Sequence, residues 1–402
     1  MAPKNFTLQK LVAKHGFGLG DQDRSASPVT PVINIPAVQV GPARPAGPRP
    51  RKHLFRRPSP PRPAPNPWIP RDGYKDIKEL VHGAEARTSL TKSTKTGRVY
   101  VVKRYAKYPE FVNIPFHQKG DQPLPNEAQV LLFALRPHPN ILRAFGCDLF
   151  GAHKANLYTE YCSGGDLTDY VLKIATSQRS APESLALHVF ISLSQALCYL
   201  HHGLRWDSEE NRYWQEPGFV SYIHGDIKPE NTFLRWTSEA ERTGLPEIVL
   251  GDLGSTQPAN TFKGILRTVG YQAPEAARIW ALAETDPKAF KVKVRETGVM
   301  TTATDIYSLG QVVHLIGTNR LHATGADPTT EPVERTRVGM VGVKLGIQPR
   351  YETEALTTAV QACLKPDRKS RPVAREGSLL DAVAVCREAL REMLAKEADS
   401  RS

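Results

Sequence analysis

The stretch that most constrains the fold of this chain is residues 222–231, which read Tyr-Ile-His-Gly-Asp-Ile-Lys-Pro-Glu-Asn. It places Asp226, Lys228 and Asn231 within one short loop. A carboxylate can accept a hydrogen bond from an attacking hydroxyl group, a lysine can stabilise negative charge on a transferred group, and an amide oxygen can hold a magnesium ion. Phosphoryl transfer needs all three functions at one place, so the rest of the fold should be arranged around this loop.

Six further motifs occur in a fixed order along the chain. They are Lys103 in the β-rich run 100–105, Glu127 at the start of a helical pattern, Thr-Glu-Tyr-Cys-Ser-Gly-Gly-Asp at 159–166, Asp-Leu-Gly at 252–254, Ala-Pro-Glu at 273–275, and Arg371 in the run 363–372. Together with the 222–231 loop they resemble the eukaryotic protein kinase family over roughly residues 74–396. The position of Lys228, two residues after Asp226, resembles that of the lysine in members of the family that phosphorylate Ser and Thr.

The resemblance implies an α+β, two-lobed protein-kinase-like fold. Residues 71–165 would form a small β-rich N-lobe with one helix (helix C of the family) and the hinge between the lobes. Residues 166–397 would form a larger helical C-lobe, and residues 1–70 would be a disordered tail rich in Pro and Arg. Residues 203–218 and 276–304 are longer than the family requires and read as insertions, and residues 318–350 should have little regular structure.

The resemblance also implies ATP and Mg²⁺ as cofactors, with specific roles for six residues. Lys103 would bind the α- and β-phosphates and pair with Glu127, Asp226 would act as the base, Lys228 would stabilise the γ-phosphoryl charge, and Asn231 and Asp252 would ligate Mg²⁺. Glu127 also reads as an ordinary acidic residue at a helix N-terminus. His224 is expected to pack rather than to catalyse.

The hinge and the structural residues follow from the same resemblance. Thr159 would control access to the inner pocket, the backbone of Glu160 and Cys162 would hydrogen-bond adenine, and Asp166 would reach the ribose or simply cap a helix. Four further residues would shape the substrate site or brace the large lobe: Thr268 with the Asp226–Lys228 pair, Asp305 under the catalytic loop, and Glu275 in a buried ion pair with Arg371.

Two departures from the family pattern carry predictions. Only Gly83 remains of the three glycines that usually cover the phosphates, and Glu85 and Thr88 stand at the other two positions. This predicts weak nucleotide binding and keeps open an alternative, a catalytically inactive scaffold or nucleotide sensor. Gly225 replaces an arginine that commonly pairs with a phosphorylated activation segment, so we predict that such a phosphate is not the main switch.

Composition bears mainly on the tail. Of the formal net charge of +12, residues 1–67 hold +9, from eleven basic residues against two acidic ones. Residues 42–45 and 58–61 have PxxP spacing, so SH3-type partners are considered beside a protein substrate. We expect no nucleic-acid partner beyond weak contacts of the basic tail, and no membrane span. The five cysteines show no paired spacing, which favours an intracellular location, cytoplasmic or nuclear.

Overall fold

A computed structural model describes residues 73–82, 86–106, 124–150, 154–176, 181–207, 210, 212–262, 264, 268, 270–296, 298–318 and 353–399. Several predictions made from the sequence concern residues outside this set. They are the tail at 1–70, the positions of Gly83 and Glu85, and the region 319–350. The remaining chain has the expected two-lobed architecture, with a β-rich small lobe and a helical large lobe.

The small lobe is a five-stranded antiparallel sheet in the order β1-β2-β3-β5-β4. Its strands are β1 (Tyr74–His82), β2 (Ala86–Ser93), β3 (Val99–Tyr105), β4 (Ala144–Leu149) and β5 (Ala155–Thr159). Residues of one face, among them Tyr105 and Leu157, join Leu124 and Ala128 in a small apolar core. Strand alternation therefore directs Lys103, two residues before Tyr105, to the same face.

Helix α1 packs on that face of the sheet. It begins as an α-helix at Asn126–Gln129 and continues as a π-helical turn at Val130–Ala134. The Leu135 N–H donates to the Val130 carbonyl at 3.0 Å, which closes the wide turn. The first turn, with Asn126 and Glu127, is buried and faces the site.

The large lobe is built around helix α3 (Glu183–His202), which is buried on nearly all sides. Among the described residues it is the one helix long and apolar enough to cross a membrane, yet 89% of that stretch lies inside the protein. The helix ends at Gly203, whose φ of 65° and closeness to Phe219 (2.5 Å from an ideal Cβ) admit only glycine. The other described helices of this lobe are α2 (Leu167–Thr176), α4 (Ser238–Thr243), α5 (Pro274–Thr285), α6 (Pro287–Lys293), α7 (Thr302–Thr318), α8 (Glu354–Cys363) and α9 (Leu379–Asp399).

Three two-stranded ladders complete the large lobe. They are β6 (Leu204–Asp207) with β7 (Arg212–Gln215), β8 (Tyr222–Ile223) with β11 (Gln257–Pro258), and β9 (Thr232–Arg235) with β10 (Glu247–Leu250). The 203–218 insertion is thus a hairpin, and the 276–304 insertion carries parts of α5 and α7 and all of α6. The β9–β10 pair follows the catalytic loop and precedes Asp252, so it brings the two chemical segments together.

Candidate active site

Lys103 connects the two lobes. Its Nζ lies 2.8 Å from Glu127 Oε2 and 2.7 Å from Asp252 Oδ1. Burial alone would lower the pKa of Lys103, but the charges of Glu127 and Asp252 raise it well above its ordinary value. The lysine is therefore a permanent cation in the cleft, and the predicted pairing with Glu127 is present.

Tyr105 adds a second hold on Glu127. Its hydroxyl donates to Glu127 Oε2 at 2.7 Å, and the residue is buried. Because Tyr105 and Lys103 stand two positions apart on β3, they reach the same carboxylate. Helix α1 is thereby fixed to the sheet by two neighbouring side chains.

Asp252 has an unusual backbone. Its φ of 54° makes it the one non-glycine residue with positive φ among those described. Such a conformation persists when its surroundings impose it, and it occurs disproportionately at functional sites. Burial tends to raise the pKa of Asp252, but the attraction of Lys103 outweighs this and lowers it below the ordinary value. The carboxylate is therefore ionised at neutral pH.

The catalytic loop forms a closed set of hydrogen bonds. Lys228 Nζ donates to Asp226 Oδ2 at 2.8 Å and to Thr268 Oγ1 at 3.1 Å, and Thr268 donates to Asp226 Oδ1 at 2.7 Å. Asn231 Nδ2 donates to the Asp226 carbonyl at 2.7 Å and to Oδ2 at 3.0 Å. The structure thus brings together Asp226, Lys228, Thr268 and Asn231, as the sequence predicted.

Asn231 and Asp252 are neighbours because of the β9–β10 hairpin. The Gly251 N–H donates to the Asn231 carbonyl at 2.8 Å. Since the Asn231 amide nitrogen points at Asp226, its side-chain oxygen is the end left for a ligand. One carboxylate and one amide oxygen suit Mg²⁺, which keeps water and substrate oxygens in its remaining positions. Among the described residues, no group of three or more His, Cys, Asp or Glu side chains forms a denser metal site.

Asp305 supports the loop from below. Its carboxylate accepts the backbone N–H of His224 at 2.8 Å and of Gly225 at 3.0 Å. His201 Nε2, from the end of α3, lies 3.0 Å from the same carboxylate and was not anticipated from the sequence. His224 is fully buried, and its Nε2 lies 3.1 Å from the Gly251 carbonyl oxygen, which agrees with its predicted packing role.

Gly225 faces Phe262 of the segment that follows Asp252. The φ of Gly225 is 76°, and an ideal Cβ there would lie 2.8 Å from Phe262 Cζ. The Phe262 side chain is buried at 4% exposure. An aromatic ring thus occupies the space beside the position where the family commonly has arginine.

The hinge follows β5. Thr159 is buried, and Asp166 caps α2 by accepting the Asp169 N–H at 2.9 Å. The predicted capping role of Asp166 is therefore present. Burial raises the pKa of the Cys162 thiol to about 12, so the thiol is protonated at neutral pH.

Glu160 is held on both sides of the hinge. Its carboxylate accepts the Arg143 N–H at 2.8 Å in the small lobe and Arg235 Nη1 at 2.5 Å in the large lobe. Arg235 also binds Glu247 across the β9–β10 ladder. The side chain of Glu160 fixes the backbone that is predicted to meet adenine, a role its motif did not reveal.

Glu275 and Arg371 form the predicted ion pair away from the cleft. Arg371 Nη1 and Nη2 each lie 2.8 Å from a Glu275 carboxylate oxygen. The same guanidinium donates to three backbone carbonyls, those of Lys365, Pro366 and Ala303. All five N–H donors of Arg371 are therefore used, as expected for a residue that braces the fold.

Comparison with known sequences agrees with this geometry. Residues 74–379 match the protein kinase domain family. The chain is 27% identical to G2-specific protein kinase fin1 of Schizosaccharomyces pombe over 52% of this chain and 29% of the relative. It is 28% identical to serine/threonine-protein kinase ATG1b of Arabidopsis thaliana, over 49% of this chain and 22% of the relative.

A third relative matches over a longer stretch. G2-specific protein kinase nim-1 of Neurospora crassa is 25% identical, over 74% of this chain and 32% of its own length. The chain thus spans less than a third of the length of each of these relatives.

Proposed function

The chain belongs to the protein kinase domain family, and on that premise we propose that it transfers the γ-phosphoryl group of ATP to serine and threonine hydroxyls of proteins. The observation that supports this most directly is the convergence of four contacts in one cleft. Lys103 binds both Glu127 and Asp252, while Asp226 is bound by Lys228 and Thr268. Inactive members of such a fold would not need this whole set.

Nucleotide binding is assigned to the cleft between the lobes. The hinge backbone at Glu160 and Cys162 would meet adenine, Thr159 would border the inner pocket, and Asp166 lies where the large lobe begins. Lys103 supplies a positive charge for the phosphates. Thr88 of β2 is the ladder partner of Lys103, so a side chain stands beside the lysine where the family has glycine. We therefore infer weaker nucleotide affinity than in members with three glycines.

Magnesium would be held by Asp252 and Asn231. The ion supplies charge neutralisation for the phosphate oxygens when bound. Asp226 orients the acceptor hydroxyl and accepts its hydrogen bond. Lys228, bound to Asp226 and Thr268, places a cation where charge develops on the transferred group.

The hydrogen bonds to Thr268 support a role in acceptor choice. Thr268 and Lys228 bind different oxygens of the Asp226 carboxylate and are also hydrogen-bonded to each other. A short side chain such as Ser or Thr must bring its hydroxyl to this carboxylate. This arrangement agrees with the Ser/Thr preference inferred from the position of Lys228.

The other assignments follow from the family. A kinase domain implies a protein substrate, and we place the lobes at residues 71–165 and 166–397. An intracellular setting, cytoplasmic or nuclear, is supported by the five cysteines, which are buried thiols not joined in disulfides. The SH3-type partner is assigned to the tail, which lies outside the described residues.

A peptide array tests the proposed function. The full chain is incubated with Mg·ATP on arrays that present Ser, Thr and Tyr acceptors, beside the variant Asp226→Asn. We expect phosphorylation of Ser and Thr peptides that the variant reduces by about 10²- to 10⁴-fold, the contribution of a positioned base. Mg·ATP binding without transfer by either protein would instead favour the nucleotide sensor, and transfer mainly to Tyr would contradict the acceptor class.

A further inference from the structure

Asn126 joins helix α1 to the segment after Asp252. Its Nδ2 donates to the Gly254 carbonyl at 2.9 Å and to the Thr256 carbonyl at 2.8 Å. Asn126 itself is buried at 5% exposure. Both hydrogens of one amide group are thus used to hold two backbone carbonyls of another lobe.

These contacts lie next to the strained residue of the site. Gly254 follows Asp252 by two positions, within a 3₁₀ turn at Leu253–Ser255. The positive φ of Asp252 is unfavourable for a residue with a side chain, so the surrounding chain must impose it. A helix that grips the turn directly after Asp252 does this.

Glu127, the residue after Asn126, provides a second connection between helix α1 and Asp252. Glu127 binds Lys103, and Lys103 binds Asp252. Helix α1 therefore reaches the Asp252 segment twice through consecutive residues, once by the charged Glu127–Lys103 pair and once by the neutral amide of Asn126. The position of the helix and the conformation of Asp252 are coupled.

The amide works through its donors. Asn126 Oδ1 is buried without a hydrogen-bond partner in the described part of the chain. A residue selected only to cap or fill would not leave a buried acceptor unpaired, since that costs stability. The two carbonyl oxygens require a donor, which aspartate of the same shape cannot supply.

We propose that Asn126 is a positioning residue that holds the 254–256 backbone through two hydrogen bonds and so keeps Asp252 in its metal-binding conformation. This inference rests on the proposed function, because it takes Asp252 as the Mg²⁺ ligand. It needs no phosphate on the segment, since both bonds join a neutral amide to backbone carbonyls.

The test compares Asn126→Asp and Asn126→Ala with the control Gln129→Ala. Gln129 lies on the same helix and donates from its buried amide to the Leu124 carbonyl at 2.8 Å, within the small lobe. The readout is the Mg²⁺ concentration that half-saturates binding of a non-hydrolysable ATP analogue. Binding is monitored by the shift in melting temperature of the full chain. Phosphoryl transfer to a peptide is measured beside it.

For Asn126→Asp we expect the half-saturating Mg²⁺ concentration to rise about tenfold, the effect of losing two net hydrogen bonds. Asn126→Ala should move it in the same direction, and it covers the case in which the aspartate variant does not fold. Gln129→Ala should lower the melting temperature without changing the Mg²⁺ requirement. A negative charge at a helix N-terminus is normally favourable. If Asn126 served only to stabilise the helix, Asn126→Asp would therefore not raise the Mg²⁺ requirement.

Two results would overturn the inference: an unchanged Mg²⁺ requirement in both Asn126 variants, or an equal change in Gln129→Ala. The proposed function fails separately. If the wild-type chain binds Mg·ATP but transfers nothing, the kinase assignment is wrong while the Mg²⁺ comparison between variants still decides the role of Asn126.

Discussion

The charged side chains of this site each bind more than one partner. Lys103 is shared by two carboxylates, and Asp226 by a lysine, a threonine and an amide. Each charged group thus has its partner before any ligand arrives, which preorganises the cleft. The charge balance around Lys103 has a measurable consequence for stability.

We predict that the stabilising effect of Lys103 depends on pH. The folded-state pKa of Asp252 is lowered below its ordinary value of 3.8. A lowered carboxylate pKa contributes stability above the unfolded value, and that stability is lost as the pH falls through the folded value. Urea unfolding of wild type and Lys103→Met should therefore differ most at neutral pH, and the difference should shrink as the pH falls below about 3.8 and through the lower folded-state pKa of Asp252. A difference that does not change with pH would contradict the lowered pKa.

The residues found from sequence and those missed differ in chemistry. Lys103, Glu127, Asp226, Asn231 and Asp252 have side chains whose type and spacing indicate a role. Neutral or apolar side chains, such as Asn126 and Phe262, act through the backbone or space that they happen to face, which only the tertiary structure fixes. Tyr105 is an intermediate case, since alternation on β3 alone places it on the same face as Lys103.

A buried ion pair and its hydrogen bonds connect several elements of the large lobe. Arg371 joins Glu275 at the start of α5 to Ala303 in the first turn of α7, and to the carbonyls of Lys365 and Pro366 in its own turn. The Arg371 side chain is fully buried. Removal of one partner leaves a buried charge unpaired, which is more costly than loss of an exposed pair.

We predict that Arg371→Met lowers the free energy of unfolding by about 3–5 kcal/mol. Arg391→Met is the matched control, because Arg391 pairs with Glu388 on the exposed side of α9. That variant should change stability by no more than about 0.5 kcal/mol. Denaturant unfolding of both variants measures this, and equal losses would show that the buried pair has no special weight.

The segment between Asp252 and Thr268 gives a prediction about regulation. Phe262 packs beside Gly225, Asn126 holds two carbonyls, and Thr256 is buried. Since Thr256 is fully buried, the hydroxyls open to a phosphate are those of Ser255 and Thr261, and we expect the combined variant Ser255→Ala, Thr261→Ala to keep activity within about threefold of wild type. A phosphatase-treated wild-type sample is the control, and loss of activity in both would mean that a phosphate is required.

At the scale of the whole molecule, the order of the lobes followed from the family resemblance that the motifs carry, and hydrophobic periodicity indicated single elements within them. Apolar residues four apart, at Leu185, Val189, Leu193 and Leu197, predict a long helix over 182–202, and α3 begins one residue later, at Glu183. The hairpin at 203–218 was read only as an insertion, because its turn lacks the Asn-Gly or Asp-Gly signals that mark tight hairpins. The helices at 274–293 were not predicted either, because residues 276–304 were read only as an insertion.

The central claim is that Lys103, Asp226, Asn231 and Asp252 converge on one metal-bound triphosphate. The most direct test incubates the purified full chain with ATP labelled in the γ-phosphoryl group, Mg²⁺ and a protein acceptor, beside Lys103→Met and Asp252→Asn. We predict label on serine or threonine of the acceptor with the wild-type chain, and at least about a hundredfold less with each variant. No label with wild type, or equal label with the variants, would contradict the account.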